Sequence, residues 1–101
     1  MRSMTVEKEG DSVVVVFLDR NISDEMRIME IGDELTEIAS NMPAEQAFIL
    51  DLQKVEYCSS AMVGQLVLLR NATERDGVEL RLRNVSATIQ AILRTMRLDK
   101  V

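Results

Sequence analysis

The sequence predicts an α/β domain with a mixed sheet of about four strands and three helices, in the order β-β-α-β-α-β-α. Three observations carry that expectation. Aliphatic runs at 13–18 and 47–52 are short and continuous or β-branched, as buried strands are. Longer stretches repeat apolar residues at spacings of three and four, the period of a helix with one buried face. After an opening pair of strands the two patterns alternate, so right-handed crossovers make the later strands parallel.

The elements follow in order. Met4 to Glu9 alternates weakly and reads as a strand, and Glu9-Gly10-Asp11 reads as a turn. Val13 to Leu18 is a buried strand that forms a hairpin with the first. Asp19-Arg20-Asn21 breaks the pattern, and Ser23 is the expected N-cap of the first helix. Asp24 and Glu25 suit the helix dipole in its first turn. Ile28, Ile31, Leu35 and Ile38 form the inner stripe, while Glu30, Asp33, Glu34 and Glu37 make the other face acidic. Pro43 ends this helix, because proline disfavours helical geometry in the residue before it.

Ala47 to Leu52 reads as a central strand covered on both sides. A second helix is expected from about Ser60 to Arg75, with Met62, Leu66, Leu69 and Ala72 or Thr73 on one face. Gly77 is its expected C-cap. Val78 to Arg83 alternates strictly, as a half-buried strand does. Ser86 then caps a third helix whose inner stripe is Ile89, Ile92, Leu93 and Met96, and Leu98 and Val101 follow. Of the methionines, Met26, Met29, Met62 and Met96 are expected to fill core gaps, the alternative being that some of them form an adaptable binding patch with Met42.

Composition narrows the function. The 101 residues fit a single domain, 1–101, and 47% apolar residues suffice for a core. Aromatics are only 3%, against base stacking, and a net charge of −5 repels a nucleic-acid backbone. Arg81, Arg83, Arg94 and Arg97 read as a solvated basic face. One cysteine allows no internal disulfide, no signal-peptide pattern is present, and no apolar run approaches the ~20 residues of a membrane span. The expectation is a soluble cytoplasmic protein without membrane insertion.

With no histidine and one cysteine, histidine-based catalysis and a cysteine-rich metal site are both absent. No glycine-rich phosphate loop follows a strand, and Lys8, Lys54 and Lys100 sit in no catalytic motif. We expect no enzyme, no cofactor and no metal. Ser59 and Ser60 follow a strand and open a helix, where free N–H groups and the dipole favour negative charge. A serine there can cap the helix or carry a phosphate. Cys58 reads either as a small apolar filler or as a thiol activated by the helix N-terminus, a redox alternative.

The run Asp51-Leu52-Gln53-Lys54-Val55-Glu56-Tyr57-Cys58-Ser59-Ser60-Ala61-Met62-Val63-Gly64 resembles the central motif of STAS domains of anti-sigma factor antagonists. In that family a strand ends in Asp-Leu, and Asp-Ser-Ser/Thr-Gly-Leu-Gly then opens a helix. Ile22-Ser23, Gly77-Val78-Glu79-Leu80 and Met96-Arg97-Leu98 extend the resemblance over nearly the whole chain. It implies a regulatory interaction module. Ser59 is the phosphoacceptor by position, with Ser60 the second choice. The implied partners are an anti-sigma factor that is also a serine kinase, and a phosphatase. The implied partner-binding residues are Ser23, Tyr57, Cys58, Ser59, Ser60, Ala61 and Met62. Cys58 and Ser23 stand where the family has Asp, and Ala61 and Val63 where it prefers glycine, with Gly64 one position later. The missing acids support a second reading, a STAS scaffold subunit of a stressosome or lipid-transport assembly that is not phosphorylated.

Overall fold

The computed structural model describes residues 4–95. The elements are β1 (Met4–Glu9), β2 (Ser12–Phe17), β3 (Asn21–Ile22), α1 (Glu25–Ser40), β4 (Ala47–Asp51), β5 (Tyr57–Cys58), α2 (Ser60–Asp76), β6 (Glu79–Arg83) and α3 (Ala87–Thr95). Four strands form one sheet in the order β1-β2-β4-β6. β1 pairs antiparallel with β2, and β2, β4 and β6 pair in parallel. This is the expected α/β architecture with its mixed sheet and three helices. Met96, Arg97, Leu98, Lys100 and Val101 lie outside the described residues.

The strand order explains where the helices go. From β2 to β4 to β6 the chain always advances in the same direction across the sheet. Successive right-handed crossovers then place their helices on the same face. One apolar cluster accordingly joins Val13, Val15 and Phe17 of β2 and Phe48 and Leu50 of β4 to all three helices. The expectation that β4 is covered on both sides is corrected: Ile49 and Asp51 point to the other face, and Ile49 is only half-buried.

That outer face is closed by charge rather than by helices. Arg83 on β6 donates from Nε to Asp51 Oδ2 on β4 (3.1 Å) and from Nη2 to Glu9 Oε2 on β1 (3.0 Å). These pairs tie β6 through β4 to the edge strand β1, and Val14 of β2 is fully buried although it lies outside the main cluster. Arg81 pairs with Glu79. The arginines of β6 thus form no open basic face, because neighbouring carboxylates neutralise them.

Local chemistry sets the helix ends. Asp24, not Ser23, caps α1, its Oδ1 accepting from the Arg27 N–H (2.9 Å). An ionised cap makes the stronger, charge-assisted bond, which favours Asp24 over its neighbour. Gly77 ends α2 at φ 74°, a left-handed conformation that favours glycine. Ser86 Oγ accepts from the Ile89 N–H (3.2 Å), as expected for the α3 cap. The methionine expectation holds for Met62, which is buried, and fails for Met26 and Met29, which are 73% and 63% exposed. The inner side of α1 is filled by Ile28, Ile31, Gly32, Leu35 and Ala39; Met29 falls at the edge of that side, next to Gly32, and Met26 on the opposite side.

Candidate functional site

The site is assembled by two short strands that periodicity did not reveal. β3 and β5 pair in parallel, Asn21 opposite Tyr57 and Ile22 opposite Cys58. The Arg20 carbonyl accepts from the Glu56 and Tyr57 N–H groups (2.8 and 3.0 Å), and the Ile22 carbonyl accepts from the Ser59 N–H (3.0 Å). Each strand runs directly into a helix, so this miniature ladder sets the N-termini of α1 and α2 side by side. Two residues per strand are too few for an alternation to show in sequence.

Among the sequence-derived candidates, Ser23, Tyr57, Ser60 and Ala61 are exposed and Ser59 is half-buried. The ladder gathers them at one end of the molecule. Cys58 and Met62 belong to the core, each 2% exposed, and present no surface to a partner. Burial pushes the Cys58 thiol above its ordinary pKa, the reverse of an activated thiolate. The apolar-filler reading of Cys58 fits this placement.

Ser59 is the N-cap residue of α2, with extended backbone at φ −77° and ψ 166°. Its carbonyl accepts from the Met62 and Val63 N–H groups (3.1 and 3.2 Å). Its hydroxyl makes no capping bond. Ser59 Oγ is a buried side-chain atom without a hydrogen-bond partner among the described residues. A cap serine ordinarily satisfies one of the orphan N–H groups, so this hydroxyl is uncommitted. The first turn of α2 carries no acidic residue, which leaves the positive end of its dipole uncompensated.

Behind the ladder stands a polar anchor: the family-like run opens on Asp51, but the partners Arg83 and Asn84 lie outside it. Asp51, 5% exposed, accepts from the Gln53 N–H (3.0 Å) and Asn84 Nδ2 (3.2 Å) as well as from Arg83. Burial pushes its carboxyl pKa up, but these three donors together outweigh burial and hold it below the usual carboxylate range. The arrangement pins the start of the loop 52–56 that leads into β5 and Ser59. A cleft lined by Leu18, Arg20, Gln53, Lys54 and Glu56 opens beside that loop. Among the described residues no cluster of three or more His, Cys, Asp or Glu side chains could hold a metal. No described helix is long and apolar enough to cross a membrane.

Comparison with known proteins places this geometry. An anti-sigma-factor antagonist domain protein from Planctomyces limnophilus matches with a TM-score of 0.83 at 20% identity, over 96% of this chain and 84% of that one. The anti-sigma factor antagonist SpoIIAA in its unphosphorylated form matches at 0.77 and 14% identity, over 96% and 83%. The phosphorylated Bacillus form matches at 0.72 and 13%, over 96% and 86%. A sulfate transporter family protein from Wolinella succinogenes matches at 0.70 and 16%, over 91% and 71%. The likeness also covers 82% of this chain, but 20% of the larger protein Mglu, at a TM-score of 0.66 and 19% identity. The domain thus resembles those of anti-sigma factor antagonists, and the same fold occurs in transporters. The family profile described as "Mlab, STAS domain" matches residues 4–101, and the chain belongs to that STAS family.

Proposed function

We propose that the chain is a single, non-catalytic regulatory domain, 1–101, acting in the cytoplasm as an anti-sigma factor antagonist does. It binds a kinase-type anti-sigma factor, and phosphorylation of Ser59 releases that partner until a phosphatase restores binding. The observation that carries this reading is the uncommitted hydroxyl of Ser59 at the N-terminus of α2. SpoIIAA, a fold relative, exists in both phosphorylated and unphosphorylated forms. A phosphate brings about −1.5 to −2 charge and three acceptor oxygens. The helix N-terminus tolerates that charge locally, whereas a partner surface closing over it must desolvate it. Binding is then switched without refolding. The partner face comprises Ser23, Tyr57, Ser59, Ser60 and Ala61.

The buried Ser59 Oγ and the neutral Cys58 in place of the family Asp favour a second reading, a constitutive scaffold subunit of a larger assembly. One experiment separates the two. The purified protein is incubated with ATP and lysate of its source, and phosphate is mapped by mass spectrometry. Phosphate on Ser59, with partner binding weakened by Ser59→Asp and kept by Ser59→Ala, is the expected result. An unmodified protein beside a positive control, with equal affinity of both variants, refutes the switch and leaves the scaffold.

A further inference from the structure

α2 is apolar on more than the side it buries. Met62, Val63, Leu66, Leu69 and Thr73 face inward. The opposite side carries Ala61, Gly64 and Leu68, and Leu68 is 61% exposed. From Ser60 to Leu69 the helix holds no charged residue, in a chain where 29% of residues are charged. A helix apolar all round is ordinarily covered all round. Gly64 sharpens the point. A Cβ added there meets nothing within 4 Å, so nothing inside the domain calls for glycine. Glycine is among the least favourable helix residues, and its usual use within a helix is close approach by another backbone.

α1 flanks this side. Gly32 faces Gln65 of α2, and a Cβ on it would meet the Gln65 side chain. Met29, nearly one turn earlier, lies on the same edge of α1 and is exposed. Farther out on α1 stand Met26, Glu30, Asp33 and Glu37, all exposed. Among the described residues none of these acids joins an ion pair; the pair made by α1 is Arg27 with Asp19. The helix carries no basic residue in its last turn. The surface is therefore an apolar strip with one acidic border.

We propose that the strip from Tyr57 and Ala61 through Gly64 to Leu68 docks an α-helix of a partner protein, one with small apolar residues on its contact row and Lys or Arg toward α1. Charge selects this occupant. A second copy would bring the same acidic border and the same net charge of −5, and like charges facing across an interface disfavour it. The proposal deepens the regulatory reading, since Ser59 and Ser60 lie at the N-terminal end of the strip, where a phosphate would meet the incoming helix.

The probe is a synthetic helical peptide of about 20 residues, with an Ala/Leu row bordered by Lys, and a counterpart with Glu for Lys. Each is titrated into the isotopically labelled full chain by NMR. The Lys peptide should shift the signals of Ala61, Gly64, Leu68 and the Met26 and Met29 methyls. Its affinity should fall at least about tenfold between low and high salt, and about tenfold again in Gly64→Leu. The Gly64→Leu fold is checked by its own spectrum, and Leu68→Glu gives a second readout. Shifts centred on another surface, equal binding of the Glu peptide, or unchanged affinity in both variants overturns the proposal. So does dimerisation of the chain that Leu68→Glu abolishes, which would make the occupant a second copy. Because the titration uses unphosphorylated protein, a peptide that binds here while Ser59→Asp leaves binding unchanged refutes the switch and not the docking surface.

Discussion

Replacing Asp51 by asparagine tests the anchor beneath the Ser59 loop. The amide keeps the shape and an acceptor oxygen for the Gln53 N–H and Asn84. It loses the charge-assisted bond from Arg83 Nε, and its NH2 group faces that donor. Hydrogen bonds to charged groups contribute about 1.5–3 kcal/mol. The Arg83 side chain is 37% exposed and keeps Glu9, so water and that carboxylate offset part of the loss. The expected cost is about 1.5–2 kcal/mol at neutral pH, read as a lower urea midpoint at unchanged slope. The pH dependence fixes the sign. Asp51 is held below the ordinary carboxylate range when folded. Its contribution is therefore complete above the unfolded pKa near 4 and fades as pH falls through the lower folded value. The gap between wild type and Asp51→Asn should be full at about pH 7 and narrow below about pH 4, with Glu9 common to both proteins. A gap under about 0.5 kcal/mol at neutral pH, or one that stays constant into acid, refutes the anchor.

Three further predictions test other parts of the structure. Gly64→Ala should stabilise the isolated domain by roughly 0.5–1 kcal/mol, because a Cβ there meets open space and alanine is the better helix former. Gly32→Ala should gain less, since its Cβ displaces Gln65, and the difference should vanish in a Gln65→Ala background; equal gains in urea melts would contradict the helix contact. Cys58 should react with an alkylating reagent at neutral pH far more slowly in folded protein than in urea, because it is buried and its thiol pKa is raised; a rapid folded-state rate would restore the redox reading.

The large elements were legible because their signals are local and repeated. Val13 to Leu18 and Ala47 to Leu52 announce strands, and Ile28, Ile31 and Leu35 announce a helical face, since burial imposes one period over several residues. Tertiary facts left weaker traces. Nothing in the β4 run says that Ile49 and Asp51 face charged side chains, because strand order alone put every helix on the other side. Arg83 finds Glu9 across 74 positions, beyond the reach of any motif. Ser59 was legible by its place between strand and helix. The two-residue ladder that holds it beside α1 was not, nor was the exposure of Leu68, an ordinary helix residue whose lack of cover only the fold reveals.

The departure from the family motif at Cys58 has two opposite effects at Ser59. Without the Asp at position 58, a kinase that reads an acid there loses a contact. Electrostatically, the same change favours the phosphate. Cys58 is neutral because burial raises its thiol pKa, and the first turn of α2 has no acid. The N–H groups at the start of α2 and the positive end of its dipole then face a phosphate on Ser59 with no acid in that turn, opposed by Asp24 and Glu25 at the neighbouring start of α1. Such an environment stabilises the dianion over the monoanion. The second pKa of phosphoserine installed at position 59 should therefore fall below the value near 6 of an exposed phosphoserine. A phosphorus NMR titration measures it directly, and Cys58→Asp, which restores a carboxylate beside the site, should raise it again. A second pKa at or above about 6 in the unsubstituted protein would show that the helix terminus does not hold the phosphate. Ser59 would then be an ordinary cap, and the scaffold reading would stand in place of the switch.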